Sequence, residues 1–167
     1  MAVATTDLAL LLSGGATNTD QNLSLGGVKS SVDVISGGLN SIFRDITNAE
    51  AASGITIYRC LYLQNNNASD TASAVRMHIQ SPSTSLDSLT SMGVGAVSVN
   101  TNEATIASES TAPLGVTFTS PTDLSSGILL GDLAPGDFRS LWVALTISAN
   151  AGYLSPDSVT WRFSFNP

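Results

Sequence analysis

Charge is scarce in this chain. Asp, Glu, Lys and Arg make up 11% of its 167 residues, less than half of the ~25% usual in soluble domains. Lys29 is the only lysine, and Arg44, Arg59, Arg76, Arg139 and Arg162 are scattered singly. Binding to DNA or RNA relies on concentrated positive charge that displaces counterions, so direct nucleic-acid binding is not expected. Cysteine occurs once, at Cys60. No internal disulfide can form, which argues against a disulfide-stapled secreted module. Long apolar runs are also missing. The stretch at 8–12 is too short to span a membrane, and no Lys or Arg precedes it as in a signal peptide. No membrane partner and no export by the usual route are expected.

Small polar residues stand where charge is missing. There are 25 Ser, 17 Thr and 11 Asn, and such a surface suits strands and turns. Helix surfaces prefer Glu, Lys, Gln and Arg, which are few here. The hydrophobic fraction of 43% and the length fit one domain that folds without metal or disulfide. A weakly charged surface repels neighbours little and favours packing against other subunits.

Residues 1–38 differ from the rest. Gly14 and Gly15, Gly26 and Gly27, and Gly37 and Gly38 form three glycine pairs. These argue against continuous helix or strand and for an extended arm with one or two short strands, able to reach over a neighbour. Residues 39–167 carry the strand signals and form the expected β-sandwich domain. The segment 39–46 reads as a strand, followed by a polar loop at 47–54. ITIYRCLYLQ at 55–64 is rich in β-branched and aromatic residues and apolar on both faces, as a central covered strand would be. At 74–80, Val75, Met77 and Ile79 alternate with Arg76, His78 and Gln80. A loop is expected at 81–91, then short strands near Val94, Val97 and Val99 and at 116–119. LAPGD at 133–137 is a turn. Residues 137–149 and 158–166 alternate and are expected to pair as a hairpin. The fold class is all-β: an antiparallel β-sandwich of seven or eight strands, Greek-key or jelly-roll-like.

Reactive groups are few. His78 is the only histidine, so a Cys–His pair must use Cys60 and His78, and a Ser–His–Asp triad must use His78 without a Gly-x-Ser-x-Gly elbow. A buried packing Cys60 and a surface His78 are the plainer expectation. One His and one Cys are too few for a zinc site. Glu50, Glu103 and Glu109 are the only glutamates and fall in expected loops as solvated carboxylates; a glycosidase pair among them is the alternative. Asp132 and Asp137 could hold calcium, but the EF-hand spacing is absent. Gly14-Gly15 lacks the lysine of a phosphate loop. Arg59, Arg76, Arg139 and Arg162 lie within or at the start of strands, on a solvent face or paired with nearby acids, or alternatively in inter-subunit contacts. Trp142 completes a second buried face or anchors an interface. No catalytic, cofactor-binding or metal residues are assigned, no cofactor is expected, and the chain reads as non-enzymatic.

LNSIFRDITNAEAASGITIYRCLYLQN at 39–65 resembles a segment of structural proteins of tailed bacteriophages. STAPLGVTF at 110–118, LAPGDFRSLWV at 133–143 and LLSGGATNTDQNLSLGGVKSS at 11–31 fit the same pattern, in matching order over roughly half the chain. The resemblance is to a class of proteins, and what it implies is a virion component made in the host cytoplasm. Within that class, size and sandwich suit a capsid cement or decoration protein. Such proteins sit on the outer capsid surface and clamp the major capsid protein, often as homotrimers. A tail, neck or baseplate component has similar composition. A carbohydrate-binding adhesin module, using the loops 65–73, 81–92 and 149–157, is the further alternative.

Overall fold

A computed structural model describes residues 2–152 and 157–166. Seven strands carry the fold: β1 (Leu8–Leu12), β2 (Ile55–Asn65), β3 (Ala72–Ser81), β4 (Ser88–Val94), β5 (Ile128–Leu133), β6 (Phe138–Ile147) and β7 (Thr160–Asn166). One short helix, α1 (Asn48–Ser53), precedes β2. The strands form two antiparallel sheets, a large one ordered β1-β2-β6-β4 and a small one ordered β5-β3-β7. The protein is an all-β sandwich, as its composition and alternation imply.

The register explains the core. Leu61 of β2 lies opposite Leu141 of β6, which lies opposite Val94 of β4. That face also carries Leu63, Met92 and Val143, and it packs against Val75, Met77, Ile79, Leu130 and Leu133 of the small sheet. Full burial of one such side chain contributes about 1.5–3 kcal/mol. The opposite face of the large sheet is buried as well. There Leu11, Cys60, Tyr62 and Trp142 form a second cluster, closed by Tyr58, Ile106, Val116, Phe118 and Phe138. Tyr58 meets Phe118 at 5.3 Å between ring centres, and Tyr62 meets Phe138 edge-on at 5.5 Å. Loops thus make a third layer over the large sheet. The doubly apolar β2 sits between two strands with both faces covered. Trp142 is fully buried, so it completes a face and anchors no interface.

Several expectations need correction. The 137–149 and 158–166 segments form no hairpin: β6 lies between β2 and β4, and β7 pairs with β3 in the other sheet. From β2 onward, consecutive strands alternate between the sheets. Residues 39–46 form turns and bends, and the polar loop after them holds α1. Part of the expected 81–91 loop is β4, which ends at Val94, while Val97 and Val99 lie in bends and turns. The segment 116–119 contributes one bridge, between Thr119 and Met92. β5 was not expected.

The N-terminal residues are not a free arm. β1 pairs with β2 from Leu8 opposite Asn65 to Leu12 opposite Leu61. Val3, Leu11 and Leu12 are buried. Residues 30–34 then cap β1: Leu12 N–H donates to Val32 O at 3.0 Å and Val34 N–H to Leu10 O at 2.7 Å. Two of the glycine pairs mislead because Gly14 and Gly26 mark close approaches to other backbone. Gly14 and Gly26 have φ of +92° and +99°, and a Cβ at Gly26 would stand 2.3 Å from Ala104 O. At 26–27 what reads as looseness is tight packing against Ala104 and Thr105, and at Gly14 against Leu23.

Candidate functional site

Two arginines and two glutamates meet at the β2 edge beyond β1. α1 starts with a capping box: Glu50 N–H donates to Thr47 Oγ1, and Thr47 N–H donates to Glu50 Oε2 at 2.9 Å. Glu50 also accepts from Arg44 Nη1 at 2.9 Å, and Arg44 Nε donates to Glu109 Oε1 at 2.8 Å. Glu109 Oε2 in turn takes the guanidinium of Arg59, which is wholly buried. Tyr58 N–H donates to Glu109 O at 2.7 Å, so the same residue closes the sheet edge.

The ionisation states follow from these contacts. Hydrogen bonds from Arg44, then from Thr47, hold Glu50 at a pKa of about 2. Burial works to raise Glu109, but the hydrogen bonds from Arg59 and Arg44 outweigh it and keep the carboxyl below its ordinary value. Arg44 is raised by the hydrogen bonds it donates to the Glu50 and Glu109 carboxylates. Glu50 and Glu109 are therefore both anionic at neutral pH. A glycosidase pair needs one carboxyl held protonated, and this pair lacks it.

Glu103 is not a solvated loop residue. It is buried on the outer face of the large sheet, where Oε1 accepts from Ser140 Oγ at 2.7 Å. Its N–H donates to Tyr62 Oη at 2.8 Å, and Tyr62 donates onward to Gly27 O at 2.7 Å. Tyr62 thereby ties two loops to the sheet. Burial, then the Glu103 charge, push the Cys60 thiol upward, and burial pushes the Tyr62 phenol the same way. A thiol so raised is inert as a nucleophile.

Cys60 and His78 do not meet. Cys60 belongs to the large sheet and His78 to β3 of the small one, in different sheets. His78 is also not a surface residue: it is 8% exposed. Asp132 and Asp137 are engaged by N–H donors, from Ala74 at 2.7 Å and from Asn100 at 2.6 Å. Among the described residues, no three His, Cys, Asp or Glu side chains gather where a metal ion could be held. The loop at 65–73 is tied down internally, with Asn65 donating to Asp70 O and Leu133 O. Most of the 149–157 loop lies outside the described residues.

The small sheet is built differently. Its outer face carries Arg76 beside Leu129 and Ser164, and His78 beside Arg162. No hydrophobic cluster forms over it among the described residues. Gln80, Leu129 and Arg162 are exposed, and His78 Nδ1 is buried with no hydrogen-bond partner there. Arg76 donates to Gly127 O at 2.8 Å. Among the described residues, neither Arg76 nor Arg162 has an ion-pair partner. Both outer edges of this sheet, β5 and β7, lack backbone partners among the described residues. Beside β7 runs a groove of about 220 Å³ lined by Thr5, Leu8, Trp161, Arg162, Phe163 and Phe165.

No family model, no curated protein and no solved structure matches the chain. The small sheet, with its two outer edges unpaired among the described residues, is the candidate site. Of the strand arginines expected on a solvent face, paired with acids or in inter-subunit contacts, Arg162 is exposed, Arg76 is half-buried and Arg59 pairs with Glu109. Sequence reading did not find the β7 groove, because Thr5 and Leu8 come from the far end of the chain. Nor did it find the Arg44–Glu50–Glu109–Arg59 chain, although Thr47 and Glu50 display the capping-box spacing.

Proposed function

We propose that this chain is a structural protein of a tailed-bacteriophage virion. Its role is that of a capsid cement or decoration protein, which binds the major capsid protein lattice on the outer surface and stabilises it. It acts as a homo-oligomer, a homotrimer by analogy with the class it resembles. The observation that carries this reading is the contrast between the two sheets. The large sheet is sealed on both faces, whereas the small sheet offers open edges and unpaired arginines. Exposed backbone edges favour addition of another chain's strand, and unpaired Arg is enriched at interfaces. Ile35 and Leu39, 72% and 85% exposed, add apolar contact area. With β1 built into the sheet, the binding surface is the small sheet rather than an N-terminal arm.

Light scattering on the eluted protein, followed by sedimentation with capsids lacking it, tests this. A trimer that pellets with the capsids is expected. A monomer that stays in the supernatant overturns the cement reading and points to a tail, neck or baseplate role.

A further inference from the structure

β7 is a strand with one side unused. We infer that its free edge accepts an extended segment of a partner protein whose residues alternate between apolar and acidic. This inference rests on reading the small sheet as the interface, and it names the chemistry of what binds there.

Three observations converge on that edge. First, β7 pairs with β3 on one side, and among the described residues no backbone group bonds to its other side. An added strand would satisfy those N–H and C=O groups. Second, the neighbouring groove is lined by both faces of β7. Trp161, Phe163 and Phe165 come from the inner face and Arg162 from the outer. A groove with that lining opens on the edge of the strand. Its roughly 220 Å³ can take an apolar side chain, since a cavity of about 150 Å³ holds benzene. Third, Arg162 stands exposed beside His78, with Arg76 further along the same face, and neither arginine has an acidic partner among the described residues. On a chain of net charge −7, such cations call for a foreign carboxylate. An extended segment meets both needs, because its alternate side chains point to opposite faces.

The alternatives fit less well. The other open edge, β5, is interrupted by Gly131 at φ +96°, and its Leu133 O already accepts from Asn65 Nδ2. Such irregularities protect edges from pairing. A second copy joined β7 to β7 would bring two Arg162 together, and Thr160–Asn166 holds no acid to balance them.

The test is a titration of the full chain with a blocked heptapeptide of alternating valine and aspartate, followed through its backbone amide resonances. Shifts concentrated in residues 160–166 are expected. Affinity should fall at least about tenfold with Arg162→Glu, with lysine in place of aspartate, and with a peptide N-methylated along one edge. Absence of shifts in β7 overturns the inference. So does equal binding of the N-methylated or lysine peptide. No particle is involved, so this result and the capsid result fail separately.

Discussion

The two sheets solve the problem of a strand edge in opposite ways. The large sheet ends in β1 and β4, and neither end is bare. Residues 30–34 bond to β1, and Thr119 exchanges hydrogen bonds of 2.8 and 2.9 Å with Met92 of β4. Where β1 stops, Ser24 O and Glu109 O take the N–H groups of Cys60 and Tyr58. Loops also bury its outer face around Trp142. The small sheet has the same apolar inner face, yet among the described residues its outer edges have no backbone partner, and its outer face carries arginine. The difference teaches that one sheet can be closed by loops on its edges and outer face, while the other keeps the exposed surface on which the proposed contacts would be made.

The contrast can be broken from the sealed side. Glu109→Gln leaves the wholly buried Arg59 without its counter-charge. Stripping one partner from a buried ion pair costs about 3 kcal/mol or more, and urea unfolding should show that loss. A milder change at the same place is a fall in pH. The folded pKa of Glu50 is about 2 against an ordinary 4.5, and Glu109 is lowered too. A carboxylate depressed in this way stabilises the fold above its unfolded pKa. That stabilisation drains as pH falls from 4.5 through about 2. The unfolding midpoint should drop across that window, and more shallowly in Glu50→Gln; an unchanged slope would remove Glu50 from the account. On the open side the expected effect is smallest. Arg162→Ser should change stability by less than about 0.5 kcal/mol, as exposed sites without partners do. A larger loss by thermal melting would mean that the small sheet is held by its surface after all.

Legibility in the sequence followed the same divide. β2, β3, β6 and β7 are readable because burial on one or both faces imposes alternation or a β-branched and aromatic run. β4 is hidden because Ser88, Thr90 and Ser91 look like loop. β5 is hidden because six residues with Gly131 in the middle carry too little pattern. At 39–46, Ile42 and Phe43 suggest a strand, but they pack on the core from a turned segment. The open site was half legible. Its arginines stand out against apolar strands, whereas the groove depends on which strands become neighbours. Pairings such as β7 with β3 are set by tertiary packing, which local spacing does not encode.

The alternation of strands between sheets also governs how the chain acquires its shape. Cys60 must wait for Trp142, and Met77 for Phe163. Apart from β1 with β2, no neighbouring strands are consecutive in the chain. Loop closure must precede nearly every gain, so folding belongs to the slow, high-contact-order regime. During synthesis the doubly apolar β2 emerges long before its partner β6, a delay in which unpaired strands are open to aggregation. The low charge that suits the finished surface to close packing gives the nascent chain little protection in that interval.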